Sequence, residues 1–173
     1  WSVSKIDLDS INLIVGKNAS GKSSTIRVLR TLADLISGET TTDNILYNSA
    51  EYEVSFNENE DIFTYSLEYN KGVVVKELLI KNQTILIDRK GNSGQIFYHQ
   101  LNQMLDFETE SGSLAISRKD IAQHPYLVGI QNWGKNLNHY VFSTAMGQNV
   151  PLSENENANK RISLKNSKFV ADM

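Results

Sequence analysis

Cysteine is absent from the 173 residues, which excludes disulfides and thiolate zinc sites and agrees with a reducing, cytoplasmic setting. Proline is scarce, at 2 residues, so collagen-like order is excluded as well. Neither sign of charge dominates: 17 Lys+Arg stand against 20 Asp+Glu, for a net charge of −3. That balance leaves no electrostatic footprint of the kind that governs nucleic-acid affinity, so a DNA site must be local or lie elsewhere. Long apolar runs are missing too. GVVV at residues 72–75 and ILI at residues 85–87 fall far below the ~20 residues of a membrane helix. No basic-then-apolar leader follows Trp1, and the chain is expected to be a piece cut from a longer protein. What is present, 40% hydrophobic and 21% charged residues, suits an ordinary globular domain that buries roughly 70% of its unfolded surface.

INLIV, residues 11–15, is a short branched run closed by Gly16 and reads as a buried strand of an α/β sheet. After a glycine-rich loop, Ile26, Leu29, Leu32, Ala33 and Ile36 recur at spacings of three and four, up to Gly38. This predicts an amphipathic helix with a glycine cap. From Tyr52 to Arg89 the segments EYEVSF, FTYSLEY, VVVKELLI and QTILIDR are strand-like and separated by NENED, NKG and RKGN. They predict antiparallel hairpins with Val73, Val75, Leu79, Ile85 and Ile87 buried. Phe97, Leu101, Met104 and Leu105 suggest a helix over residues 97–105. Pro125 suits the first turn of a helix running toward Tyr140, carrying Tyr126, Leu127, Ile130, Trp133 and Leu137 on one face, and HYVFS at residues 139–143 suggests a strand. The expected division is 1–50 for strand, loop and helix, 51–112 for an antiparallel β subdomain, 113–150 for a helical segment and strand, and 151–173 for a polar loop or the start of a further segment.

Gly16, Lys17, Asn18, Ala19, Ser20, Gly21, Lys22 and Ser23 match G-x-x-x-x-G-K-[ST], the Walker A phosphate loop. A strand leading in and a helix leading out aim successive backbone N–H groups and the helix N-terminus at one anion site. Gly16 and Gly21 allow close backbone approach, Lys22 would reach the β- and γ-phosphates, Ser23 would complete Mg²⁺ coordination, and Ser24 would add a donor near the α-phosphate.

INLIVGKNASGKSSTIRVLRTL, with Asn18 inside the loop, resembles the opening of the ATP-binding head, or N-terminal lobe, shared by SMC, RecF and OLD-type proteins, the ABC-like branch of AAA-family ATPases. The resemblance implies a P-loop NTPase α/β lobe with an antiparallel β subdomain, ATP and Mg²⁺ as cofactors, and ATP hydrolysis driven by head dimerisation, most simply as a homodimer. It further implies a role in DNA repair or anti-phage defence, with a nuclease or toxin effector as a possible partner, DNA as a partner of the full-length protein only, and no membrane. The family often carries Gly where Ala19 stands; a positive φ there would cost Ala about 1 kcal/mol. Its Walker B pair, signature stretch and switch His are not evident here, so the chain alone is expected to bind ATP without turnover.

Thr84-Ile-Leu-Ile-Asp88 has the outline of a Walker B strand, yet Asp88-Arg89-Lys90-Gly91-Asn92 reads as a hairpin turn with no second acid. Asp88 therefore stands only as a formal candidate beside Gln123 and Gln131, which could act as Q-loop residues but suit polar surface better. His99, His124 and His139 lack metal spacing and are expected to face solvent or cap. Trp1 could stack on adenine but suits core packing. Tyr47, Tyr52, Tyr65, Tyr69, Phe56 and Phe63 lie among acids and suit sheet packing over base stacking. Two other readings stand beside the head domain: a small-molecule kinase or GTPase, although Asn70-Lys71-Gly72-Val73 fails the guanine motif at its acid, and a non-hydrolysing ATP-dependent interaction module.

Overall fold

The computed structural model describes residue 2, residues 5–9 and residues 12–138. Trp1, Ile11, His139, the HYVFS segment and residues 151–173 lie outside the described residues. The chain divides into two compact units, one of residues 1–30 with 138–173 and one of residues 31–137.

In the first unit the described part of INLIV is not a strand, and its side chains are exposed, Leu13 at 86% and Val15 at 77%. This corrects the expected buried strand. A central parallel strand needs sheet neighbours to satisfy its amides, and all the strands among the described residues are taken up by an antiparallel meander in the other unit. Helix α1 forms as the spacing predicts, over Lys22–Ser37, with Leu32, Ala33, Leu35 and Ile36 buried. It ends in a Schellman arrangement: Glu39 N–H donates to Asp34 O (2.9 Å) and Gly38 N–H to Leu35 O (3.1 Å), with Gly38 at φ +71°.

The second unit is built on a six-stranded sheet in sequential order, β1 (Ala50–Glu58), β2 (Asp61–Asn70), β3 (Val73–Lys81), β4 (Thr84–Lys90), β5 (Ser93–Tyr98) and β6 (Gln103–Glu108). Every neighbouring pair is antiparallel. Tight turns set the register. Lys71 (φ 50°) and Gly72 (φ 76°) join β2 to β3, and Asn82 (φ 45°) and Gln83 (φ 77°) join β3 to β4, the two-residue geometry whose twist matches a hairpin. Gly72 is required for a second reason, because a Cβ there would lie 2.9 Å from Asp43 Cα. The same loop is pinned from inside by buried Thr42, whose hydroxyl donates to Gly72 O (2.5 Å) and whose N–H donates to Gly112 O (3.0 Å).

Three expectations about this sheet are corrected. Residues 97–105 form the β5–β6 hairpin rather than a helix, with Asn102 left-handed (φ 51°) and Leu101 57% exposed; pairing with β4 satisfies the backbone of β5 in a way that a short helix would not. Val73, Val75 and Ile85 are exposed, whereas Val74, Leu79, Leu86 and Ile87 are buried. Bulges cause the inversion: the β2–β3 register slips around Val75 and the β3–β4 register around Leu86, and each extra residue flips the inside–outside alternation. Arg89 is not in a turn either; β4 runs on to Lys90, and Arg89 is fully buried.

Leu67, Glu77, Arg89, Gly94 and Phe107 form one continuous row of register partners across the inner face. Against this face pack the second half of α1, two 3₁₀ turns (Ala115–Ser117 and Pro125–Leu127) and α2 (Val128–Asn136). Helix α2 stops short of Tyr140; its Trp133 meets Phe56 edge-on at 5.0 Å, while Leu127 and Ile130 enter the core. Of the aromatic residues, Phe63, Tyr65 and Tyr69 are core, and Tyr52 stacks on Tyr69 at 6.3 Å.

Glu77 and Arg89 form an ion pair (3.2 Å) with neither side chain exposed. Glu77 also accepts from Ala115 N–H and Ile116 N–H, both at 2.8 Å, and from Tyr65 Oη at 3.2 Å. Arg89 donates to Gly91 O (2.7 Å), Glu110 O (3.0 Å) and Ser113 O. Removing one partner leaves a buried charge uncompensated. Glu77→Ala is expected to cost about 3–5 kcal/mol in urea unfolding at neutral pH, with Glu77→Leu/Arg89→Met recovering much of that loss. A double variant as unstable as the single one would place the stability in the Ala115–Ile116 hydrogen bonds rather than in charge balance.

Candidate functional site

The site lies in the first unit, where residues 16–24 form an exposed loop that turns into α1. Ser20 N–H donates to Lys17 O (3.2 Å), tightening the turn, and the backbone is left-handed at Ala19 (φ 62°) and Gly21 (φ 88°). The positive φ that would strain Ala19 is therefore realised. Alternating handedness of this kind turns successive amides toward one side and makes an anion-binding concavity. The first α1 bond runs from Thr25 N–H to Gly21 O (2.9 Å), which leaves the amides of Lys22, Ser23 and Ser24 ahead of the helical ladder at its positive end. No acidic side chain stands in that first turn to compete with an anion.

Lys22 folds back over the loop. Its Nζ donates to Gly16 O (2.7 Å) and Lys17 O (2.7 Å) and lies 3.4 Å from Ser20 Oγ. A Cβ on Gly16 would come within 2.7 Å of Ser20 Oγ and 3.9 Å of Lys22 Cδ, so the glycine is what lets loop and lysine close together. The arrangement fits a polyphosphate: amides ahead of the helical ladder, one ammonium held by exchangeable contacts to two carbonyls and the Ser20 hydroxyl, and an exposed Ser23 in the first turn of α1. Ser23 is the residue that could meet a magnesium ion carried by such a ligand. Among the described residues no group of three or more His, Asp or Glu could hold a metal by itself.

The formal catalytic candidates lie in the other unit. Asp88 is exposed on β4, which is antiparallel to both its neighbours; a Walker B strand would run parallel in the core sheet. Gln131 is buried, with its amide donating to Ile116 O (2.8 Å) and Arg118 O (2.6 Å), so it fastens α2 to the first 3₁₀ turn. Gln123 lies in a turn before the second 3₁₀ segment, with its carbonyl accepting from His99 N–H at 3.0 Å. His124, expected to face solvent or to cap, is buried at 1% exposure and stands at the N-cap of the second 3₁₀ turn, where its side chain makes no capping bond. Sequence reasoning also missed Glu77 as a buried acid; its signal was a lone carboxylate inside VVVKELLI.

A family model described as "AAA domain, putative AbiEii toxin, Type IV TA system" matches residues 11–108. No curated protein and no solved structure matches the chain.

Ala19 carries strain of about 1–2 kcal/mol at its positive φ, partly offset in a glycine variant by about 0.5–1 kcal/mol of chain entropy. Ala19→Gly is expected to raise stability by about 0.5 kcal/mol, and the β-branched Ala19→Val to lower it by at least about 1 kcal/mol. Urea midpoints at unchanged m-value check both.

Proposed function

The chain belongs to this family of AAA-family ATPase domains, its match covering more than half of the sequence, and we propose that residues 16–24 bind Mg-ATP as the nucleotide site of an ABC/SMC-like head. The observation that carries the reading is the loop itself: left-handed Ala19 and Gly21, Lys22 closed over the Gly16 and Lys17 carbonyls, and an acid-free helix start. Bound Mg-ATP supplies the phosphoanhydride and a metal to neutralise its charge. Lys22 would exchange its carbonyl partners for phosphate oxygens, the backbone amides of the loop and first helical turn would hold the phosphates, and the Ser23 hydroxyl would be the magnesium ligand.

Hydrolysis needs more than a cradle. It requires a group that orients water and positive charge on the far side of the γ-phosphate, and stabilisation supplied in trans is worth about 10³–10⁵ in rate for P-loop enzymes. Asp88 and Gln131 are engaged as sheet surface and as a structural clamp, which favours a second head as the source of these groups. ATP-driven pairing of two heads would then couple turnover to an effector. The family description, a toxin of a toxin–antitoxin system, supports a defence role over DNA repair.

Lys22→Ala is expected to weaken Mg-ATP binding about 10- to 100-fold, because a charge-assisted contact is worth roughly 1.5–3 kcal/mol, with the circular dichroism spectrum unchanged. Calorimetry that finds wild-type affinity in the folded variant would overturn the site. Steady-state phosphate release by this chain alone should stay at the Lys22→Ala background. Sustained, concentration-independent turnover near ~1 per second, a rate within the ordinary enzyme range, would place a complete active site within these residues.

A further inference from the structure

Strands β1 and β6 stand at the two ends of the sheet, and among the described residues β1 pairs with β2 alone. An open edge carries a row of backbone donors and acceptors with no partner in the sheet, and proteins ordinarily guard it with a short strand, a proline, a lysine or a bulge. β1 has none of these. It runs for 9 residues, AEYEVSFNE, without Pro, Lys or Arg, and its register with β2 is unbroken, whereas those of β2–β3 and β3–β4 slip. Its inner row is also left half open. Tyr52, Val54 and Phe56 are half-buried, while Phe63, Tyr65, Leu67 and Tyr69 on the next strand are at most 2% exposed. A further strand beside β1 would complete that cover. The charges on β1 are all acids, Glu51, Glu53 and Glu58, and they repel a like strand only where acid meets acid.

We propose that β1 pairs with β1 of a second copy of this chain, antiparallel about a two-fold axis at Val54, so that two six-stranded sheets join edge to edge. Opposed residues of an antiparallel pair share a face, so inner residues meet inner ones. With Val54 on the axis, Tyr52 meets the partner's Phe56, an aromatic pair of the kind that stabilises sheets. On the outer face Glu53 meets the partner's Ser55 and Glu51 the partner's Asn57, an acceptor opposite a donor each time. Neighbouring registers fit less well. Centring on Glu53 sets that acid against itself, and centring on Ser55 sets Tyr52 against Glu58. In the Val54 register acids approach only diagonally, Glu53 to the partner's Glu53 at about 7–8 Å. The interface is isologous and closes at two copies. Being one strand pair wide, it belongs among small, weak interfaces. It uses no residue of the 16–24 loop, so it stands whether or not that loop binds Mg-ATP.

Sedimentation velocity on the full chain without nucleotide, from about 10 μM to about 1 mM, covers the affinities of such interfaces. The expected result is a mass that rises from monomer toward dimer. Substitutions at one exposed position should act with opposite signs, with the circular dichroism spectrum unchanged in both. Ser55→Lys sets an ammonium opposite Glu53 at two symmetric places and should tighten the dimer about three- to tenfold, and Ser55→Glu sets acid against acid and should weaken it by a similar factor. Because the sequence has no cysteine, Val54→Cys supplies a single thiol at the axis. It should oxidise to a disulfide-linked dimer faster than Asp106→Cys on the opposite edge, β6. A chain that stays monomeric throughout the concentration range, Ser55 variants that shift association in the same direction, or preferential cross-linking of Asp106→Cys would each overturn pairing through β1.

Discussion

Glu77 and Arg89 face each other in the middle of the inner sheet surface, fully out of water, and neither can remain there without the other. The carboxylate accepts four hydrogen bonds, two of them from the amides that start the Ala115–Ser117 turn. The guanidinium spends its donors on carbonyls at Gly91, Glu110 and Ser113. Through this pair the middle of the sheet, the β4–β5 turn and the connection after β6 become one polar unit inside an otherwise apolar core. Burial raises the Glu77 pKa, and the two backbone amides and Arg89 oppose that rise. The pair adds little net stability over a well-packed apolar substitute. What it supplies is position: it fixes the amides of Ala115 and Ile116 against the middle of the sheet, beside the Val74 N–H to Ser111 O bond (2.8 Å) that holds the same connection.

That position matters for everything that follows in the chain. The Ala115–Ser117 turn presents Ile116 O and Arg118 O to Gln131 of α2, and Arg118 stacks over Phe107 at 4.8 Å. The same stretch continues to His124 and its contacts with Phe97 and Tyr126. The hydrogen bonds of Gln131 to these carbonyls, and of His124 and Tyr126 to Phe97 O, are side chain to backbone bonds between an irregular segment and a regular one. A buried loop must find partners for its amides and carbonyls, and here Glu77 of the sheet and Gln131 of α2 provide them around Ala115–Arg118, while His124 and Tyr126 reach out to the β5 carbonyl of Phe97.

The glycine-rich loop at residues 16–24 obeys a different constraint. Its form depends on local backbone angles at Ala19 and Gly21, the first turn of α1, and a lysine long enough to reach back across six residues to Gly16. Such a site is set by short-range geometry and by the absence of competing negative charge. That is why a few residues suffice to mark the loop and the start of α1 in the sequence.

Sequence alone determined the Gly16–Ser24 loop, the α1 period with its Gly38 cap, and the run of antiparallel hairpins, because each depends on residues a few positions apart. It failed where a distant partner decides. Bulges at Val75 and Leu86 reversed the inside–outside alternation of their strands, and such register slips arise from pairing with neighbours rather than from the strand's own pattern. Arg89 reads as part of a turn, His124 as facing solvent or capping, and Glu77 carries no signal beyond being a lone acid, because charged and polar residues are mostly exposed; only the tertiary structure brought amides from 38 and 39 residues away to Glu77 and a carbonyl from 27 residues away to His124. The apolar run ending at Val15 shows the converse: its composition marks a strand, but a strand exists only where another one lines up to share its hydrogen bonds.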